Sequence, residues 1–305
     1  MIRLNKTIAA VMVVLIALGC EQGDDDNAYV RLDDSPVFRD LPAAASGRQA
    51  LTRYAVQSAE YLTSVESGRV GRTVFFRNVG NKQLTEDFVP GLSLDSTDAI
   101  SYYIDENRPS ADLDVASSSD AIVRAMDTWD DVTCSDLGIF RVPSQRSIET
   151  GFVSALLGFG GSFDYVADVV HAGWLPAAFF DLIAEDGGTF ILAVTFTIIF
   201  TDDNGTPTDL DNNGKDDVAW REIYYNDAFS WADGAQYDVE TVALHETGHG
   251  LSQGHFGTAF ADAGSGKIHF SPRAVMNAAY SGIQTTIRAT DNGGHCSNWS
   301  NWPEK

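Results

Sequence analysis

The chain has 305 residues, with 43 Asp+Glu against 20 Lys+Arg and a formal net charge of −23. A chain this acidic repels phosphate backbones and anionic headgroups, which argues against nucleic acid and anionic lipid surfaces as partners. The balance suits an exported, soluble, cation-binding domain.

Residues 1–19 read as an export signal. Arg3 and Lys6 form a positive region, and the stretch from Ile8 to Leu18 is almost wholly apolar but too short to span a bilayer as a mature helix. It ends in Ala17-Leu18-Gly19-Cys20, which resembles a bacterial lipoprotein box with Cys20 as the lipidated residue. A plain secretory signal cut nearby is the alternative. Cleavage before Cys20 leaves 18 basic against 43 acidic residues, a mature charge of −25. The expected location is outside the cytoplasm, anchored to a membrane or cell surface only through an N-terminal lipid.

Residues 20–97 read as a tether and an N-terminal accessory or pro-region. Asp24-Asp25-Asp26-Asn27 is a charge run, and Pro42 to Gly47 is small and flexible. The spacing of Leu51, Tyr54, Ala55 and Leu62 predicts an amphipathic helix over Arg48 to Glu66. Thr73 to Phe76 reads as a strand. The region has no cysteine besides Cys20, so no thiolate latency plug is expected.

Residues 98–305 have the pattern of one domain. Ile100 to Ile104 is a strand, Ser118 or Ser119 can cap a helix through Ile122, Met126 and Trp129, and Leu137 to Val142 is a second strand. Phe190 to Phe200 is apolar except for Thr195 and Thr197; it is too short for a membrane span and reads as a buried strand. His171 has no partner histidine, so a core role is expected. Asp209, Asp211, Asn213 and Asp217 surround Gly214 in a calcium-loop candidate, because oxygens at alternate positions converge on a hard cation. Trp220 stands where an EF-hand has its bidentate Glu, and a solvated acidic turn is the alternative. Glu222 to Tyr225 is a strand, and Asp238 can cap the helix that follows, with Val239, Val242 and Ala243 facing the core. His269 and His295 lack ligand spacing. With Cys20 lipidated, the remaining cysteines, Cys134 and Cys296, are expected to form a disulfide, which export permits.

The chemistry concentrates in His245-Glu246-Thr247-Gly248-His249-Gly250-Leu251-Ser252-Gln253-Gly254-His255. Residues four apart share a helix face, so His245 and His249 can present two imidazoles to one point. His255 cannot continue that face, so the chain must turn after His249. A catalytic zinc takes three protein ligands and a water, and Glu246 is placed to take a proton from that water.

This stretch resembles the metzincin zinc-peptidase signature H-E-x-x-H-x-x-G-x-x-H at every fixed position except one: Ser252 stands where the family has Gly. That Gly lets the helix end and the third ligand swing back, a task that Gly250 or Gly254 could take over here. Phe256 follows the third His, where matrixins usually carry Ser. Pro272-Arg273-Ala274-Val275-Met276-Asn277-Ala278-Ala279-Tyr280 resembles the matrixin Met-turn, and the strand, Trp-bearing helix and strand of residues 100–142 resemble the opening of a matrixin catalytic domain. The resemblance implies an α+β, metzincin-like zincin. Its parts would be a twisted mixed β-sheet, an active-site helix beneath it, and a smaller, irregular C-terminal subdomain after His255. It further implies a zinc endopeptidase acting on protein or peptide, with Zn²⁺ on His245, His249 and His255, and Glu246 as general base. Met276 would be a structural floor and Tyr280 would line a substrate pocket. A monomer is expected. The alternative is a zinc-binding, catalytically weak surface lipoprotein with a binding role.

Overall fold

Strands whose side chains alternate between two apolar layers organise the molecule. The computed structural model describes residues 29–79 and 86–304, and the export signal and Cys20 lie outside the described residues. In chain order come β1 (Tyr29–Arg31), β2 (Val37–Phe38), α1 (Ala43–Gln49), β3 (Tyr54–Thr63), β4 (Thr73–Phe75), β5 (Glu86–Asp87) and β6 (Ile100–Ile104). Next are α2 (Val115–Asp130), β7 (Ile139–Arg141), α3 (Phe152–Leu157), β8 (Val169–Leu175), α4 (Ala177–Phe180), β9 (Ile191–Phe200) and β10 (Asp216–Asn226). The last are β11 (Trp231–Ala232), β12 (Tyr237–Asp238), α5 (Val239–Gly250), β13 (Thr258–Asp262), β14 (Ile268–Ser271) and α6 (Ala289–Trp299).

The main sheet runs β2-β4-β3-β9-β10-β8-β6-β7, with β5 beside the start of β10. Strands β7, β6, β8 and β10 run parallel to one another, whereas β9 is antiparallel to both β10 and β3. The chain is therefore α+β with a mixed sheet. On β10, Ile223 and Tyr225 join one core with Met126, Trp129 and Val242, while Trp220 and Tyr224 join the other with Phe152 and Phe179. This period of two places α2 and α5 on one face of the sheet and α1, α3 and α4 on the other. Among the described residues no helix is long and apolar enough to cross a membrane.

Three expectations are corrected. The helix predicted over 48–66 is a strand: α1 ends at Gln49 and Tyr54–Thr63 form β3, paired with β4 and β9. Val56, Ala59 and Leu62 are each almost fully buried. Pairing on both edges decides the conformation over the helical spacing of the apolar residues. β3 and β4, ahead of residue 98, belong to the same sheet as β9. Helix α2 is capped by Asp114, whose carboxylate accepts from the Ser117 N–H at 2.8 Å, so the helix starts ahead of Ser118 and Ser119. The part after His255 is not irregular throughout, because β13 pairs with β14 and β1, and α6 follows.

Cys134 and Cys296 form a disulfide between the chain just after α2 and α6, across 162 residues. The Trp299 indole N–H donates to the Leu251 carbonyl at 2.8 Å and the Asn298 amide to the Ser252 carbonyl at 2.7 Å, so α6 also grips the chain just beyond α5. Closing so long a loop restricts the unfolded chain. Replacing both cysteines by serine should lower stability by about 2–5 kcal/mol. Denaturant unfolding of the two proteins side by side measures the difference, and equal midpoints would show that the bridge contributes nothing.

Candidate metal centre

Helix α5 begins where the Asp238 carboxylate accepts from the Thr241 N–H at 2.8 Å, the cap read from the sequence. Its last two turns are buried on all sides, including His245, Glu246 and His249. The Trp129 indole N–H donates to the Leu244 carbonyl at 2.9 Å and holds α5 against α2. Gly248 meets Met276: a Cβ there would stand 2.2 Å from the Met276 sulfur, so only glycine permits this approach without displacing Met276. Met276 is 1% exposed and packs directly under the ligand helix.

The chain then reverses at Ser252 itself, which has φ +65°. Neither Gly250 nor Gly254 has positive φ, so neither takes over the task. A left-handed non-glycine residue costs about 1–2 kcal/mol. Ser252 is held there by its surroundings: its hydroxyl accepts from the buried Arg221 guanidinium at 2.9 Å, and its carbonyl accepts from Asn298. Arg221 also donates to the Gly250 carbonyl at 3.1 Å and to the Thr197 hydroxyl at 3.0 Å. Burial pulls the Arg221 guanidinium below its ordinary range.

The turn brings His255 back to the helix. His245 and His249 approach at their Nε2 atoms to 3.1 Å, and His249 and His255 to 3.3 Å. The three form a group whose ligand atoms all lie within 4.8 Å of one another. Nδ1 of His245 faces the Val275 carbonyl at 2.7 Å, and Nδ1 of His249 faces the Gln253 carbonyl at 2.7 Å. A carbonyl can only accept, so both rings carry their proton on Nδ1 and turn an Nε2 lone pair inward. Ligands about 2.0–2.1 Å from a tetrahedral zinc stand about 3.3 Å apart, which matches these separations. Burial holds His245 and His255 well below the usual histidine range. Burial acts the same way on His249, but the Glu60 and Glu246 carboxylates reverse the sign and raise it.

Glu246 is fully buried, and Oε2 accepts from the Thr195 hydroxyl at 2.6 Å. Oε1 has no partner of hydrogen-bond geometry. An orphaned carboxylate oxygen beside three converging imidazole nitrogens fits a site that holds a cation and its water. Burial is the main reason that the carboxyl is pushed up to about 7; the nearby His249 works against it and Glu60 reinforces it.

The other sequence candidates separate from this cluster. Tyr280 is buried; its hydroxyl donates to the Gln236 carbonyl at 2.6 Å and accepts from the Asp238 N–H at 3.2 Å, while the residue lines a cavity of about 610 Å³ with Val65, Phe229 and Tyr237. In the calcium-loop candidate, Asp209 accepts from the N–H groups of Asn213 and Gly214, Asp211 from Asn213, and Asp217 from Leu210. The backbone of a tight turn thus bonds those carboxylates. Among the described residues the ligand group whose atoms lie within 4.8 Å of one another is the three histidines. His171 is a core residue, bonded to the Tyr225 hydroxyl at 2.8 Å and lowered to about 3 by burial. His295 stacks on Trp129.

Sequence reasoning missed Glu60, Thr195, Arg221 and Asp291. The Asp291 carboxylate accepts from the N–H groups of Val275 and Met276 at 3.2 Å and so shapes the Met-turn. The signal for Thr195 and Thr197 was present, since they interrupt an apolar run at alternate positions and so share one face. No protein-family model matches the chain, and no curated protein matches it.

Because Glu246 titrates near 7 in the folded metal-free chain against an ordinary 4.5, its contribution to stability is full at low pH and is lost as pH rises. Between pH 4.5 and 7 the chelator-treated protein should lose about 3 kcal/mol from this group. Glu246→Gln should remove that part of the slope. Urea unfolding of both proteins across this range tests it, and identical slopes would refute the assignment.

Proposed function

We propose that the chain is an exported zinc-dependent endopeptidase of the metzincin type, nearest the matrixins, tethered by a lipid on Cys20. The observation that carries this reading is the convergence of three inward imidazole nitrogens beside one buried carboxylate. His245, His249 and His255 would hold the ion. When bound, zinc supplies Lewis-acid polarisation of a water and of a scissile carbonyl. Glu246 takes the proton of the attacking water and afterwards gives it to the leaving amine, and a carboxyl near neutrality suits both transfers. Thr195 orients that carboxylate through Oε2 and leaves Oε1 for the water. Tyr280 supports the start of α5 and forms one wall of a cavity of its own, which would take a substrate side chain.

A second reading has its own observation. Glu246 is closed off from solvent, with the backbone of Leu62 on β3 facing its carboxylate. Access to the cluster is from the side of His255, which is half-exposed and lines a cavity with Gln253, Phe256 and Met276. A zinc-binding lipoprotein without turnover would need no access to that carboxylate.

Metal content and proteolysis on one preparation separate the two. The full-length protein should carry one zinc per chain and clear casein or gelatin, with clearing abolished by chelator and restored by zinc. Glu246→Ala should keep the metal and lose turnover, by about 10²–10⁴-fold for loss of an acid–base group. Bound zinc with no cleavage by the wild type selects the binding protein. Retained cleavage by Glu246→Ala refutes the assigned base.

A further inference from the structure

Glu60 stands on β3, well ahead of the ligand helix in sequence, yet its carboxylate reaches the histidine cluster. Oε2 lies 3.1 Å from His249 Nδ1, beside the Gln253 carbonyl that accepts the Nδ1 proton at 2.7 Å, with the imidazole completely enclosed and the Glu60 side chain only 16% exposed. Oε1 accepts from the Thr73 hydroxyl on β4 at 3.2 Å. The flanking Ala59 and Tyr61 belong to the core on the far side of the sheet, so strand alternation turns Glu60 toward α5. A carboxylate in so apolar a strand is costly unless a partner compensates it. Its contacts here are a hydroxyl and a ligand imidazole. The buried Arg221 directs its hydrogen bonds to Thr197, Gly250 and Ser252.

The charge count points the same way. Three neutral imidazoles bring no charge to a divalent ion, so filling the site places two positive charges in a buried space. Glu246, fully buried on the same helix as His249, and Glu60, 3.1 Å from the His249 ring, bring two carboxylates to the cluster, and together they balance such an ion.

We propose that Glu60 is a positioning residue of the metal centre, fixing the His249 ring from its Nδ1 side and offsetting part of the charge of a divalent cation held at Nε2. The proposal rests on the reading of the cluster as a metal site. Carboxylates behind ligating imidazoles orient the ring and raise its basicity, and their removal typically costs 10–100-fold in metal affinity. It makes β3 part of the metal centre: the stretch ahead of residue 98 supplies a group that the ligand helix lacks.

The test titrates metal-free, full-length protein with Zn²⁺ against a chromophoric chelator, for the wild type, Glu60→Gln and Glu60→Asp. Glu60→Gln keeps the shape and removes the charge, and should bind zinc about 10–100-fold more weakly. Glu60→Asp keeps the charge but withdraws it by one methylene, and should fall between. Zinc release into excess chelator should accelerate in the same order. Melting of the metal-free forms is recorded alongside, because a merely structural residue would change the melt and leave the affinity of the folded protein unaltered. Wild-type affinity in a folded Glu60→Gln variant overturns the proposal; should that variant not fold, wild-type affinity in Glu60→Asp does so. A wild type that binds no zinc overturns the underlying metal reading as well, which separates the two failures.

Discussion

Three imidazole nitrogens gathered within 4.8 Å of one another, two pairs of them at 3.1 and 3.3 Å, are the constraint on which the rest of this structure depends. Lone pairs do not gather at such separations unless the scaffold forces them together or a cation draws them in. Here the scaffold is explicit. The Val275 and Gln253 carbonyls fix two rings through Nδ1, and the left-handed Ser252 returns the third. The supports of that turn come from three separate parts of the chain: Arg221 on β10, Thr197 on β9 through Arg221, and Asn298 on α6. The disulfide then ties α6 to the end of α2, so the turn is braced from both sides.

The same logic explains the unusual content of the apolar strands. A run such as β9 would be simplest as unbroken aliphatic side chains. Thr195 and Thr197 interrupt it on one face, and each meets a buried charged group, Glu246 and Arg221 respectively. Buried charges are tolerated when every contact is a hydrogen bond or an opposite charge. The layer between the sheet and α5 is therefore a small polar network enclosed by two apolar cores, and it holds the functional groups at fixed distances.

The arrangement also places a restriction on chemistry. The carboxylate best placed to act as a base is the one most completely shielded from water. Burial raises its pKa toward neutrality, which suits proton transfer, and burial also separates it from a polymeric substrate. These are two effects of one cause, the packing of β3 beside β9 and against α5.

Local rules in the sequence were enough for the ligand helix, its Asp238 cap, the strands β6, β9 and β10, the Cys134–Cys296 pair and the three histidines. Each of those signals lies within a few residues or follows from a count: an i, i+4 pair shares a helix face, an alternating or apolar run makes a strand, and two thiols remain once one is assigned elsewhere. The conformation of residues 54–63, the φ of Ser252 and the roles of Glu60, Arg221 and Asp291 were settled only by the tertiary structure. In each of these the deciding partner is remote along the chain. β3 is a strand because β9 and β4 flank it, Ser252 is left-handed because Arg221 and Asn298 hold it, and Glu60 matters because sheet pairing carries it to His249. Periodicity and spacing report what a segment does alone, whereas pairing between distant segments creates contacts that no local window contains.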